Sequence, residues 1–167
     1  MNFADVKAIT IPEGVVNKIT AAGKVIWEKV TAPTYTNVLP LAIDTDGTPY
    51  NGGLGYKTGW RINSSNVEKE SAYHCLTGYI PVKLGDVIRL KNVALSIPGS
   101  GYVVGYDSSF ASGHGLIYES KLTDAGNGVF TITVSTASGF STAVAYVRFS
   151  IGTIDSTSII TINEEIA

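Results

Sequence analysis

The residues of this 167-residue chain that could do chemistry gather in two places. One is the loop Asp44 to Gly59, DTDGTPYNGGLGYKTG, with Trp60 directly after it. The other is the strand end from Tyr102 to Asp107. Together they bring Tyr50, Tyr56, Trp60, Tyr102 and Tyr106 into company with Asn51, Arg61 and Asp107. Sugars present C–H faces that stack on aromatic rings, and carboxylate and amide side chains bond their hydroxyls. Glycines in the same stretches let a ligand approach the backbone closely. Trp60, Tyr102, Tyr106 and Asp107 are therefore the candidate carbohydrate contacts, with Tyr50 or Tyr56 as a rim. Aromatics are also frequent in strands for packing alone, so each ring has a core reading beside the binding one. Trp60 is the member that its short strand can turn inward.

Other chemistry is poorly supported. Asp44 and Asp46 stand two apart before Gly47, and such loops offer oxygen ligands to hard cations. The Glu that closes a twelve-residue calcium loop is missing, so an Asx turn is the competing reading. His74 and His114 lie far apart, with no His-x-x-x-His or Cys-x-x-Cys spacing, and zinc is not expected. His74 reads as structural. His114, between Gly113 and Gly115, is the better candidate for a ligand contact. Counting alone permits a Ser-His-Asp set, but no Gly-x-Ser-x-Gly elbow is present. For glycoside hydrolysis, Glu68 and Glu70 read as a solvated face and Glu164 and Glu165 sit at the terminus. No phosphate-loop spacing occurs. Catalysis and a cofactor are not expected. Cys75, the single cysteine, reads as a buried, inert thiol.

The elements that must position these residues are strands. The organising stretch is Ser71 to Leu95, read as two strands joined by a tight turn at Lys83-Leu84-Gly85-Asp86. Pro81 belongs at an edge or bulge. Val38 to Ile43 reads as a first strand, Val67 to Ser71 as exposed, and Phe110 to Gly115 as a loop. Tyr102 to Val104, Val129 to Val134, Ala143 to Ile151 and Ser158 to Asn163 read as further strands, with a turn at Asp124 to Gly128. Roughly eight or nine short strands and no helix of ordinary length predict an all-β fold, a β-sandwich of jelly-roll type.

Residues 1–30 form a separate small β segment. Val6, Ile9 and Ile11 alternate with polar neighbours. Val15, Val16 and Ile19 follow, and Ala22-Gly23-Lys24 turns the chain into Val25, Ile26 and Trp27. So small a sheet is marginal alone and must pack on something. Ile9, Ile11, Val16, Ile19, Ile26 and Trp27 are the candidate docking residues, with Trp27 as anchor. Residues 31–36 read as a linker and 37–167 as the sandwich domain.

Composition sets the outer limits. The charged fraction is 16% and the hydrophobic fraction 44%, which suits a packed fold and not disorder. A net charge of −2 argues against a nucleic-acid partner. No apolar run approaches the ~20 residues of a membrane span, so no membrane partner is expected. The N-terminus lacks the pattern of a signal peptide, which predicts a protein made and kept in a cytoplasm.

Two stretches carry a resemblance. ITIPEGVVNKITAAGKVIWEK, residues 9–29, resembles short N-terminal segments of virion proteins from tailed phages of Gram-positive bacteria. The matching residues are Val16, Lys18, Ile19, Gly23, Lys24, Ile26 and Trp27. GYIPVKLGDVIRLKNV and AYVRFSIGTIDSTSIITINEEI resemble strands of the carbohydrate-binding-module-like sandwiches on phage tail, baseplate and fibre proteins. The resemblance implies a non-enzymatic virion component assembled in a host cytoplasm. Its partners would be other virion proteins, further copies of itself, and host cell-surface polysaccharide. A glycan hydrolase or depolymerase module of a phage tail is the alternative.

Overall fold

The computed structural model describes residues 18–21, 24–28, 35–95 and 101–166. The chain divides into two units, Met1–Thr34 and Tyr35–Ala167. In the first, strands β1 (Lys18–Ala21) and β2 (Lys24–Glu28) pair antiparallel, with Ile19 opposite Trp27 and Ala21 opposite Lys24. Ile9, Ile11 and Val16, named above as docking residues, lie outside the described residues.

The second unit holds two antiparallel sheets. The larger is built from β3 (Tyr56–Ile62), β4 (Glu68–Thr77), β5 (Ile80–Pro81), β7 (Tyr102–Tyr106), β8 (Ser112–Tyr118) and β11 (Tyr146–Ile151). Its order is β3-β4-β11-β7-β8, and β5 pairs β11 past the end of β4. The smaller contains β6 (Val87–Lys91), β9 (Thr123–Asp124), β10 (Val129–Thr133) and β12 (Ile159–Ile162), in the order β12-β6-β10-β9. Between the strands the chain makes short 3-10 turns. Among the described residues no helix is long and apolar enough to cross a membrane.

Alternation in the sequence explains the layering. In β6 only Ile88 and Leu90 are buried, the pattern of a strand with one face in the core. They meet Ile132 of β10, Ile160 of β12, and Val103, Val147 and Phe149 from the larger sheet in one apolar cluster. Each such side chain stabilises the fold by roughly 1.5–3 kcal/mol. In β7 and β11 the intervening residues are also buried. A second cluster, Ile62, Leu76, Tyr79, Tyr102, Val104 and Tyr106, covers the other face of the larger sheet. The fold is thus an all-β sandwich whose larger sheet is buried on both sides at its central strands, β7 and β11.

The organising stretch is not a hairpin. β5 belongs to the larger sheet and β6 to the smaller, so Lys83–Asp86 carries the chain from one layer to the other. The buried Asp86 carboxylate accepts the Lys83 N–H at 2.9 Å and the Asn163 amide at 2.8 Å. Gly85, at φ +94°, donates its N–H to the Val134 carbonyl. Two further expectations need correction. Val38–Ile43 forms a 3-10 turn at Leu39–Leu41, because Asn37 Oδ1 accepts the N–H groups of Leu39 and Ile160 there. The stretch read as a loop at Phe110–Gly115 gives up Ser112 to Gly115 to β8. Val67–Ser71, read as exposed, is exposed from Val67 to Glu70, and from Glu68 onward it runs in β4, paired with β3.

Candidate functional site

The second cluster gives the larger sheet an aromatic outer face. Alternation aims Tyr102, Val104 and Tyr106 of β7 and Tyr146 and Arg148 of β11 to this side. Tyr79 is its centre. Its ring lies 4.9 Å from Tyr106, 4.8 Å from Phe110 and 6.2 Å from Tyr146, edge-on in each case. Phe110 and Tyr146 stack face to face at 4.7 Å, and both rings are half-buried.

One rim of this face is charged. Arg148, only 2% exposed, donates to the Thr77 carbonyl at 2.8 Å, Glu68 Oε1 at 2.6 Å and the Tyr50 hydroxyl at 3.1 Å. Its guanidinium also lies 4.6 Å from the Tyr79 ring centre. Lys57 Nζ binds Glu68 Oε2 at 2.6 Å and sits 4.1 Å from the Trp60 ring. Strict alternation would put Lys57 and Trp60 on opposite faces. The register shift between Thr58 and Trp60, with Gly59 at φ +78°, brings both to this one. Glu68 is therefore not merely solvated. Desolvation raises its carboxyl, but the hydrogen bonds and charges of Lys57 and Arg148 outweigh that and hold it below the usual carboxylate value. Burial pushes the Tyr106 phenol up to about 12, against the opposing charge of Arg148.

The other rim is a tight turn. Asp107 Oδ1 accepts the N–H and hydroxyl of Ser109 at 2.8 and 2.7 Å and the N–H of Ala111 at 3.0 Å. Those bonds keep its carboxyl low. The capped turn holds Phe110 at φ +64°, a left-handed conformation that costs a residue of this kind roughly 1–3 kcal/mol. The ring is delivered onto Tyr79 and Tyr146 in return. His114 Nε2 lies 3.4 Å from Asp107 Oδ2, and its Nδ1 is hydrogen-bonded to Ser141 Oγ at 2.7 Å. Ser141 Oγ also accepts the Ala143 N–H at 3.3 Å. Ser141, His114 and Asp107 thus link the loops through His114, with Ser141 Oγ shared between the imidazole and the Ala143 N–H.

Of the sequence candidates, Tyr50, Trp60, Tyr102 and Tyr106 share this outer face. Tyr50, Tyr102 and Tyr106 are buried in it, and Trp60 is half-buried under Lys57. Tyr56 packs toward the opposite cluster, between the sheets. Asp107 stands on the turn rim. Asp44 and Asp46 make local turns: Asp44 accepts the Thr45 N–H at 2.7 Å, and Asp46 the Thr48 N–H and hydroxyl at 2.9 and 2.7 Å. Among the described residues no group of His, Cys, Asp or Glu is arranged to hold a metal ion. His74 is buried and bonded to Ser71 Oγ at 2.7 Å, and Cys75 is buried with its thiol pushed up by desolvation. Sequence reading missed Tyr79, Phe110, Tyr146, Lys57, Glu68 and Arg148. One signal was present: a lone Arg at the centre of the apolar run AVAYVRFSI requires a partner.

Comparison of the chain with protein-family models, with curated proteins and with solved structures found no match.

Proposed function

We propose that this chain is a non-enzymatic virion protein of a tailed phage. Its sandwich, of jelly-roll type, projects from the particle and binds host-surface glycans weakly through the aromatic outer face of the larger sheet. The observation that carries this reading is the half-buried, stacked Phe110–Tyr146 pair at the rim, with Phe110 on the turn whose Asp107 carboxylate lies 3.4 Å from His114. It combines a stacking surface with hydrogen-bonding groups, and a strained backbone presents it. Tyr79 and Tyr106 support it from beneath. The N-terminal hairpin would dock on other virion proteins, and many copies per particle would raise a millimolar contact by factors on the order of 10²–10⁴. A hydrolytic role is less well served. Glu68 is held ionised by two cations and so has no proton to donate near neutral pH.

The test is a titration of purified host cell-wall polysaccharide, followed by the ring resonances of Phe110 and Tyr146. Saturable shifts at these rings, lost in Phe110→Ala, are the expected result. Unmoved rings in a folded protein would leave assembly as the only role.

A further inference from the structure

We infer a second carbohydrate subsite, in a groove behind a large bulge of β4 and apart from the Phe110–Tyr146 rim. The register between β3 and β4 pairs Thr58 with Cys75 and Trp60 with Glu70. Gly59 alone therefore stands opposite the whole segment Ser71–His74. Bulges of this kind re-aim side chains and are frequent beside binding sites. Here the bulge pushes Tyr73 outward until it is 74% exposed, the most exposed of the large apolar side chains described. The bond between Ser71 Oγ and His74 Nδ1 at 2.7 Å ties the segment together.

The groove has a volume of about 620 Å³, within the usual range of small-molecule sites, ~300–1,000 Å³. Tyr73, Thr58, Gly59, Thr153 and Asp155 line it. A Cβ on Gly59 would meet nothing within 4 Å, so the backbone there lies open to a ligand. The Cys75 thiol, bonded to the Ile154 carbonyl at 3.6 Å, closes the floor. The lining offers the exposed Tyr73 ring, the buried His74 ring and hydroxyls that both donate and accept, and among the described residues no lysine or arginine. That chemistry suits an uncharged cyclic polyol, a neutral sugar residue of a glycan chain, better than a phosphate or a uronate. Asp155 already accepts the Thr157 N–H and hydroxyl at 2.8 and 2.7 Å, so it shapes the rim and leaves the sugar to Tyr73 and the threonines.

The inference extends the glycan reading to a second surface, and the experiment separates the two. The full-length protein is titrated with neutral hexasaccharides of glucose, galactose and N-acetylglucosamine. Each is taken to about ten times a ~1 mM dissociation constant. The ring resonances of Tyr73 are followed separately from those of Phe110 and Tyr146. A saturable Tyr73 shift, abolished when Thr58→Tyr fills the groove, is the expected result. Tyr73→Ala should weaken binding there at least severalfold without moving the melting temperature, because the side chain is exposed. A silent Tyr73 beside shifting rim rings overturns the groove and keeps the rim. A Tyr73 shift with silent rim rings supports the groove and overturns the rim. Silence at all three overturns both.

Discussion

A guanidinium inside a sandwich is stable only if its lost hydration is replaced. Removing one partner of a buried ion pair typically costs 3–5 kcal/mol, because the other charge is left uncompensated. Arg148→Met strips Glu68, the Thr77 carbonyl and the Tyr50 hydroxyl of one donor each. We expect a loss of about 3–4 kcal/mol in chemical denaturation. Arg148→Met combined with Glu68→Gln should lose less than Arg148→Met alone, and an equal or greater loss would refute the pairing as the cause. Tyr106 supplies a second test. Its folded pKa of about 12 exceeds the ordinary value of 10.0, so the folded state holds the proton more tightly. The stability is complete below pH 10 and drains away as pH rises from 10 to 12, by up to about 2–3 kcal/mol for this one group. Tyr106→Phe should flatten that part of the pH–stability profile. The sequence signalled that Arg148 needs a partner but did not name it. Arg148 and Glu68 are 80 positions apart, and no local pattern joins them. The aromatic wealth of the chain was plain in the sequence. Which rings would be only half-buried was not, because the answer depends on the left-handed Phe110 and on the displaced register at Gly59.

Strand identity was readable wherever one face meets the core. VFTIT and IITI, rich in β-branched residues, form β10 and β12 within the predicted segments. Alternation carries no information about which sheet a strand joins, and there the reading of Ser71–Leu95 failed. A tight turn between two apolar runs looks the same whether the runs pair with each other or enter opposite layers. What distinguishes the cases is long-range: Asp86 is bound by Asn163, and Gly85 by the Val134 carbonyl. Asp86→Ala therefore does more than loosen a turn. It leaves the Lys83 N–H and the Asn163 amide without their acceptor at the corner between the sheets. A loss of about 2–3 kcal/mol is expected. A hairpin turn alone would lose about 1 kcal/mol, so a measured loss that small would argue against the corner role.

At the scale of the molecule, both apolar clusters, as far as the described residues show them, are built from residues after Tyr35. The second unit thus carries its own core, and a domain of ~130 residues is large enough to be stable alone. The hairpin β1–β2 is the opposite case. A two-stranded hairpin is marginal in water by itself, and the proposed docking on a larger assembly would supply the missing stability. These two statements make one joint prediction. A chain lacking residues 1–34 should keep the β circular dichroism of the sandwich and melt in a single cooperative transition. In the full chain, Trp27→Ala should leave that transition in place. It should lower incorporation into particles, since a buried aromatic anchor contributes ~2–4 kcal/mol to an interface. Loss of cooperativity on truncation would mean that the first unit belongs to the sandwich core. A melting shift with unchanged incorporation in Trp27→Ala would place the tryptophan in folding and not in docking. Only an unmoved melt with lost incorporation fits a hairpin that fastens the sandwich to a larger assembly.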